Sequence, residues 1–199
     1  ALAIFAASTL DAIAVPVNAR MTGPELDRIT AHASPRAILY TCHISPEARA
    51  HAEAAGAEEI DTATARIALA QGPGGAPDPV EEGPGQVAVI LYTTGTTGDP
   101  KGVMLTHANL LFAGALSARM RDMVPGDRIY GALPLTHVFG LASMLMAGAS
   151  CGACVQLETR FAPDRLLAAL KDGATVLPAV PQMHALLMKH TASLGLDRL

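Results

Sequence analysis

One short stretch, Thr93-Thr94-Gly95-Thr96-Thr97-Gly98-Asp99-Pro100-Lys101, gathers hydroxyls, glycines and a cation in consecutive positions. Threonine hydroxyls donate to anionic oxygens, glycines let backbone N–H groups converge on one anion, and a lysine ammonium acts as a point charge. Together they describe a cradle for a polyphosphate. It is not a Walker A loop, which requires Gly-Lys-Ser/Thr where this chain has Asp99-Pro100 before Lys101. Gly95, Gly98 and Gly102 fit neither a dinucleotide-binding nor a kinase glycine pattern. The competing account is a Thr/Gly-rich hairpin loop with one solvated lysine. A second candidate is His137, in Leu133-Pro-Leu-Thr-His137-Val-Phe-Gly140, where a histidine at a strand-to-helix turn can be a functional or a satisfied structural group.

These residues need elements to hold them. Val87-Ala-Val-Ile-Leu-Tyr92 is an apolar run of strand length that stops at the loop, and Gly102-Val-Met-Leu105 reads as a second short strand. Upstream, Ala1 to Leu10 is helix-prone and Ile13 to Val17 strand-like. Thr22 and Glu25 have capping-box spacing with Pro24 early in a helix. Arg36 to Thr41 is a strand, and Ser45-Pro46 starts a helix ended by Gly56. Gln71 to Gly85 is dominated by Gly and Pro and reads as a solvated connection.

Downstream, Thr106 starts a helix to about Met123, and Ile129 to Leu135 is strand-like. From Phe139 to Leu157 no charged residue occurs, which suits a membrane span or a buried helix followed by a buried strand. Pro163 opens a helix that Gly173 closes, Thr175 to Val180 is a strand, and Gln182 to His190 begins a last helix. This alternation predicts an α/β fold with mostly parallel sheets flanked by helices. Residues 1–124 form part of a first α/β subdomain that includes the phosphate-binding loop, and residues 125–199 part of a second.

The composition narrows the chemistry. A 199-residue chain with 50% hydrophobic residues can bury a core, and a net charge of −4 gives no footprint for nucleic acid or an anionic membrane. Three cysteines, Cys42, Cys151 and Cys154, are too few for a disulfide framework, which points to a reducing, cytoplasmic setting. Cys151-Gly-Ala-Cys154 has C-x-x-C spacing, but no second ligand pair completes a zinc site, so buried thiols are the expectation.

Tyr92-Thr-Thr-Gly-Thr-Thr-Gly-Asp-Pro-Lys-Gly102 closely resembles the phosphate-binding signature of the adenylate-forming, or AMP-binding, superfamily, which includes acyl-CoA synthetases and peptide-synthetase adenylation domains. Leu133 to Gly140 is similar to that family's second core motif. Thr106 to Leu110, Phe161 to Leu166 and Val180 to Met183 look most like fatty-acyl-CoA ligase sequence. The resemblance implies a parent enzyme that uses ATP, Mg²⁺ and CoA to convert a small-molecule carboxylic acid to an acyl-adenylate and then an acyl-CoA, with no nucleic-acid partner and no transmembrane segment. In that scheme Thr93, Thr94, Gly95, Thr96, Thr97 and Gly98 hold the β- and γ-phosphates, Lys101 offsets charge on departing pyrophosphate, and His137 borders the acyl site. No metal ligand is assigned. The family's Thr-Glu turn, ribose-binding Asp and catalytic lysine have no counterpart here, so the resemblance also implies an interior, inactive fragment. Two alternatives stand beside this reading: an adenylation domain that loads a carrier-protein thiol, and a nucleotide-binding chain without catalysis.

Overall fold

The structure is a computed structural model that describes residues 1–75, 82–94 and 100–195. The chain divides into two compact units, Leu2–Thr106 and His107–Leu199, the latter joined by Ala1.

The first unit opens with helix α1 (Leu2–Thr9) and helix α2 (Gly23–Ala33). The anticipated capping box is present: the Thr22 N–H and hydroxyl both donate to a Glu25 carboxylate oxygen, each at 2.7 Å. Ile29 is the buried residue of α2. Strand β1 (Ala37–Tyr40) leads into helix α3 (Pro46–Ala54), where Ser45 accepts the Ala48 N–H at 3.1 Å. Gly56, at φ +60°, takes the left-handed conformation just past the end of α3.

Two further strands, β2 (Glu58–Asp61) and β3 (Arg66–Gln71), form a hairpin whose turn is tied by Thr62. Its hydroxyl donates to the Ala65 carbonyl at 2.6 Å and accepts the Thr64 and Ala65 N–H groups. The sheet order is β1-β3-β2, and every pairing in it is antiparallel. The Gly/Pro-rich stretch after Gln71 is not wholly a solvated connection. Gly72 N–H and Gly74 N–H donate to the Arg36 and Pro35 carbonyls, and a Cβ on Gly72 would lie 1.9 Å from the Pro35 oxygen, an approach only glycine permits.

Strands β4 (Val87–Thr94) and β5 (Pro100–Thr106) form an antiparallel pair with Ile90 opposite Met104, Tyr92 opposite Gly102, Thr93 opposite Lys101 and Thr94 opposite Pro100. The stretch from Ile13 to Val17 shrinks to one parallel bridge, Ala14 to Val89.

The second unit carries helix α4 (His107–Met120), strand β6 (Arg128–Gly131) and a helical run made of α5 (Val138–Gly140), a π-helical segment (Leu141–Met146) and α6 (Ala147–Cys151). Strand β7 (Cys154–Leu157), α7 (Pro163–Lys171) and α8 (Pro181–Ser193) follow. β6 and β7 pair in parallel, and Ile129 also bridges Val176 in parallel. Ile129, Met144 and Ala147 are fully buried in one core cluster, and Tyr130 and Leu166 in another; Leu141 is also fully buried. The charge-free stretch is thus a buried helical run followed by a strand; no helix among the described residues is long and apolar enough to cross a membrane. The three cysteines are free, and only Cys42 is buried; Cys154 is exposed, against expectation.

The expectation of mostly parallel sheets fails. The two sheets of the first unit are antiparallel, and only the small β6–β7 sheet is parallel. The physical reason lies in connection length. A parallel pair needs a crossover of about a dozen residues or more, and the turns joining β2 to β3 and β4 to β5 are far too short for one. The parallel β6–β7 pair has a helix-length crossover; β1 and β3 are antiparallel although α3 lies between them, so connection length accounts for the two hairpins and not for that pair.

Candidate functional site

The β4–β5 stem positions the first candidate group. Its last rungs set Thr93 opposite Lys101 and Thr94 opposite Pro100, so the two ends of the Thr/Gly loop are fixed side by side. Thr93 and Lys101 are exposed. Gly95, Thr96, Thr97 and Gly98 lie outside the described residues, and of Thr94 the backbone pairing is given. The structure therefore brings together Thr93, Thr94 and Lys101 at the mouth of the loop.

One rung below, Tyr92 is held from outside the hairpin. Its hydroxyl lies 2.6 Å from His32 Nδ1, and the two rings meet edge-on with centroids 5.6 Å apart at 89°. Burial raises the Tyr92 pKa, which favours the neutral phenol; the imidazole tautomer sets which partner donates. The ring also covers Gly102: a Cβ there would lie 3.4 Å from Tyr92 Cζ and 2.8 Å from Ile90 Cγ2. Sequence reasoning missed His32, because the partners stand 60 residues apart and nothing local marks the histidine.

His137 sits in the second unit, at the N-cap of α5. Its Nδ1 accepts the Phe139 N–H at 3.2 Å, its backbone carbonyl accepts the Leu141 N–H at 2.9 Å, and its side chain is exposed. Accepting at Nδ1 places the proton of the neutral ring on Nε2, which leaves a donor for a ligand or water. Two features fix the turn. Gly140 packs so closely on Pro134 that a Cβ would lie 2.1 Å from the Pro134 oxygen, and the π-helical segment begins immediately after it. The Ala147 N–H reaches back to the Ala142 carbonyl, the wider π spacing.

Among the described residues no group of three or more His, Cys, Asp or Glu could hold a metal ion. Among the described residues, Thr93 offers a hydroxyl and Lys101 an ammonium at the mouth of the loop.

A family model described as AMP-binding enzyme matches residues 1–197. The chain is 31% identical over 195 residues to a feruloyl-CoA synthase from Amycolatopsis sp, covering 94% of this chain and 37% of that protein. Apo MatB from Rhodopseudomonas palustris is similar at TM-score 0.71 and 28% identity, covering 94% of this chain and 38% of that one. A malonyl-CoA ligase ternary product complex with methylmalonyl-CoA and AMP bound is similar at TM-score 0.67 and 27% identity, covering 97% of this chain and 39% of that one. The chain spans little more than a third of the length of these relatives.

Proposed function

This chain belongs to the AMP-binding enzyme family, and from that premise we propose that the protein containing it activates a carboxylic acid with ATP and passes the acyl group to the thiol of CoA. In the first step a carboxylate oxygen bonds to the α-phosphorus, the α–β anhydride bond breaks, and pyrophosphate departs with the electron pair. In the second the thiol sulfur bonds to the acyl carbon, AMP leaves, and the thiol proton is released. The observation that carries this reading is the antiparallel stem that sets Lys101 opposite Thr93 at the two ends of the Thr/Gly loop.

Thr93, Thr94, Thr96 and Thr97, with the Gly95 and Gly98 amides, hold the β- and γ-phosphates in this proposal. Lys101 offsets the charge that grows on pyrophosphate as it leaves. His137 borders the acyl group, with its Nε2–H available to an oxygen. Mg²⁺ assists phosphoryl chemistry by offsetting charge. The described residues offer it no ligand cluster, so no step is assigned to a metal through this chain. Two of the relatives named above, the feruloyl-CoA synthase and the malonyl-CoA ligase, are named for CoA products, which supports CoA over a carrier-protein thiol as the acceptor.

The half-reactions separate these roles. Replacing Thr96 or Thr97 by Ala should slow adenylation about ten- to a hundred-fold, the worth of one hydrogen bond to a charged group. Thioester formation from supplied acyl-adenylate should be unchanged, because pyrophosphate takes part only in the first step. Equal losses in both would contradict the assignment, and acyl transfer to a carrier protein but not to CoA would overturn the acceptor.

A further inference from the structure

We propose that His32 is a positioning residue for the phosphate-binding stem: by holding Tyr92 it fixes the rung beside Thr93 and Lys101 and thereby sets the affinity for ATP. The inference rests on the nucleotide-binding reading above and deepens it.

Two strands joined only to each other can twist and fray at the tip, and a stem that aims groups at a ligand needs a third element against it. Here that element is α2. Its N-terminus is closed by the Thr22–Glu25 box, Ile29 is buried at 4% exposure, and it packs on β5. His32 stands in its last turn. From there Nδ1 reaches the Tyr92 hydroxyl at 2.6 Å, while the tyrosine ring lies across Gly102, its partner on β5. One side chain of α2 thus secures both strands at one rung. The next rung is Thr93 and Lys101.

Glycine at 102 is part of the device. A Cβ there would meet Ile90 at 2.8 Å and press on the tyrosine ring, so any larger residue would push Tyr92 away from His32. The contact also tolerates either state of the imidazole. The neutral ring accepts the phenol proton at Nδ1, and the protonated ring donates from Nδ1 to the phenol oxygen. Neither His32 nor Tyr92 is assigned a contact with substrate; their effect passes through the placement of Thr93 and Lys101.

Steady-state kinetics of the full-length enzyme, normalised by active-site titration, tests this. His32→Ala and Tyr92→Phe should each raise the KM for ATP about three- to ten-fold, the range for one lost neutral hydrogen bond, with kcat for adenylation within about two-fold. The double variant should resemble the worse single variant, because both remove the same bond. His32→Gln, whose amide oxygen can accept the phenol proton, should recover most of the affinity. The KM for the acid, and thioester formation from supplied acyl-adenylate, should be unchanged. A role limited to general stability would reduce the active fraction and both half-reactions together, leaving the KM for ATP alone. An unchanged KM for ATP, multiplied effects in the double variant, or parallel loss of both half-reactions would overturn the proposal. Lys101→Ala separates the two failures. If Lys101→Ala impairs ATP use and the His32 variants do not, this inference alone is wrong; if Lys101→Ala has no effect, the nucleotide reading falls and this inference with it.

Discussion

Asp127 accepts the Val124 N–H at 2.8 Å with one carboxylate oxygen and the Thr175 hydroxyl at 2.7 Å with the other, while the Arg128 N–H donates to that same hydroxyl at 3.0 Å. The Val124 bond first and the Thr175 bond second hold the Asp127 pKa below its ordinary value, with burial opposing them. A group whose folded pKa is depressed contributes stability above the unfolded-state pKa and loses it as the pH falls through the folded pKa. Asp127→Asn should therefore lower the melting temperature near neutral pH, and the gap to the unmodified protein should close on acidification below the ordinary carboxylate range. A constant gap at every pH would show that the charge is not what matters. Such a tie between residues distant in sequence is invisible in the sequence, as is the His32–Tyr92 bond. A phosphate cradle from Thr93 to Lys101 could be proposed from sequence because its hydroxyls, glycines and cation are consecutive. His137 was legible only beside a stronger motif, since a single imidazole at a turn has many uses.

Helix ends were readable because their signals are local. Thr22 with Glu25, Ser45 with Pro46, Gly56, Pro163 and Gly173 all act within one turn of the residues they cap, and α2, α3 and α7 begin and end accordingly. Strands were less so. β2 is Glu-Glu-Ile-Asp, an edge strand that is mostly acid, and β3 is Arg-Ile-Ala-Leu-Ala-Gln, whose alanines suit a helix equally well. Short connections make the β2–β3 and β4–β5 pairs antiparallel, and alternation of helix and strand patterns alone pointed the other way. At the packing of α4 on the helical run after His137, Gly114 is the critical residue: a Cβ would lie 2.9 Å from the carbonyl carbon, carbonyl oxygen and Cβ of Met146. Overpacking costs about 1–3 kcal/mol, and the helix preference for Ala over Gly returns at most about 1 kcal/mol. Gly114→Ala should thus be destabilising on balance, read as a lower urea midpoint at unchanged m-value. A neutral or stabilising result would mean that the two helical segments separate easily.

Large apolar side chains remain exposed across the molecule, among them Phe112 and Met120 on α4 and Met188 on α8, at 69%, 76% and 72%. Two compact units carry the two candidate groups, the β4–β5 stem in Leu2–Thr106 and the His137 turn in His107–Leu199. The proposal assigns them to the two substrates of one reaction, ATP and the carboxylic acid. Reversible adenylation is the step that requires both and needs no thiol. Carboxylate-dependent exchange of labelled pyrophosphate into ATP isolates that step, and it can be run with the full-length protein over a panel of aryl, dicarboxylic and fatty acids. At least one acid should support exchange well above the acid-free background. Lys101→Ala should lower it about ten- to a hundred-fold, the worth of a charge-assisted contact to phosphate. Exchange with no acid of the panel, or exchange that survives Lys101→Ala undiminished, would contradict the claim that this chain supplies the phosphate-binding half of a carboxylate-activating enzyme.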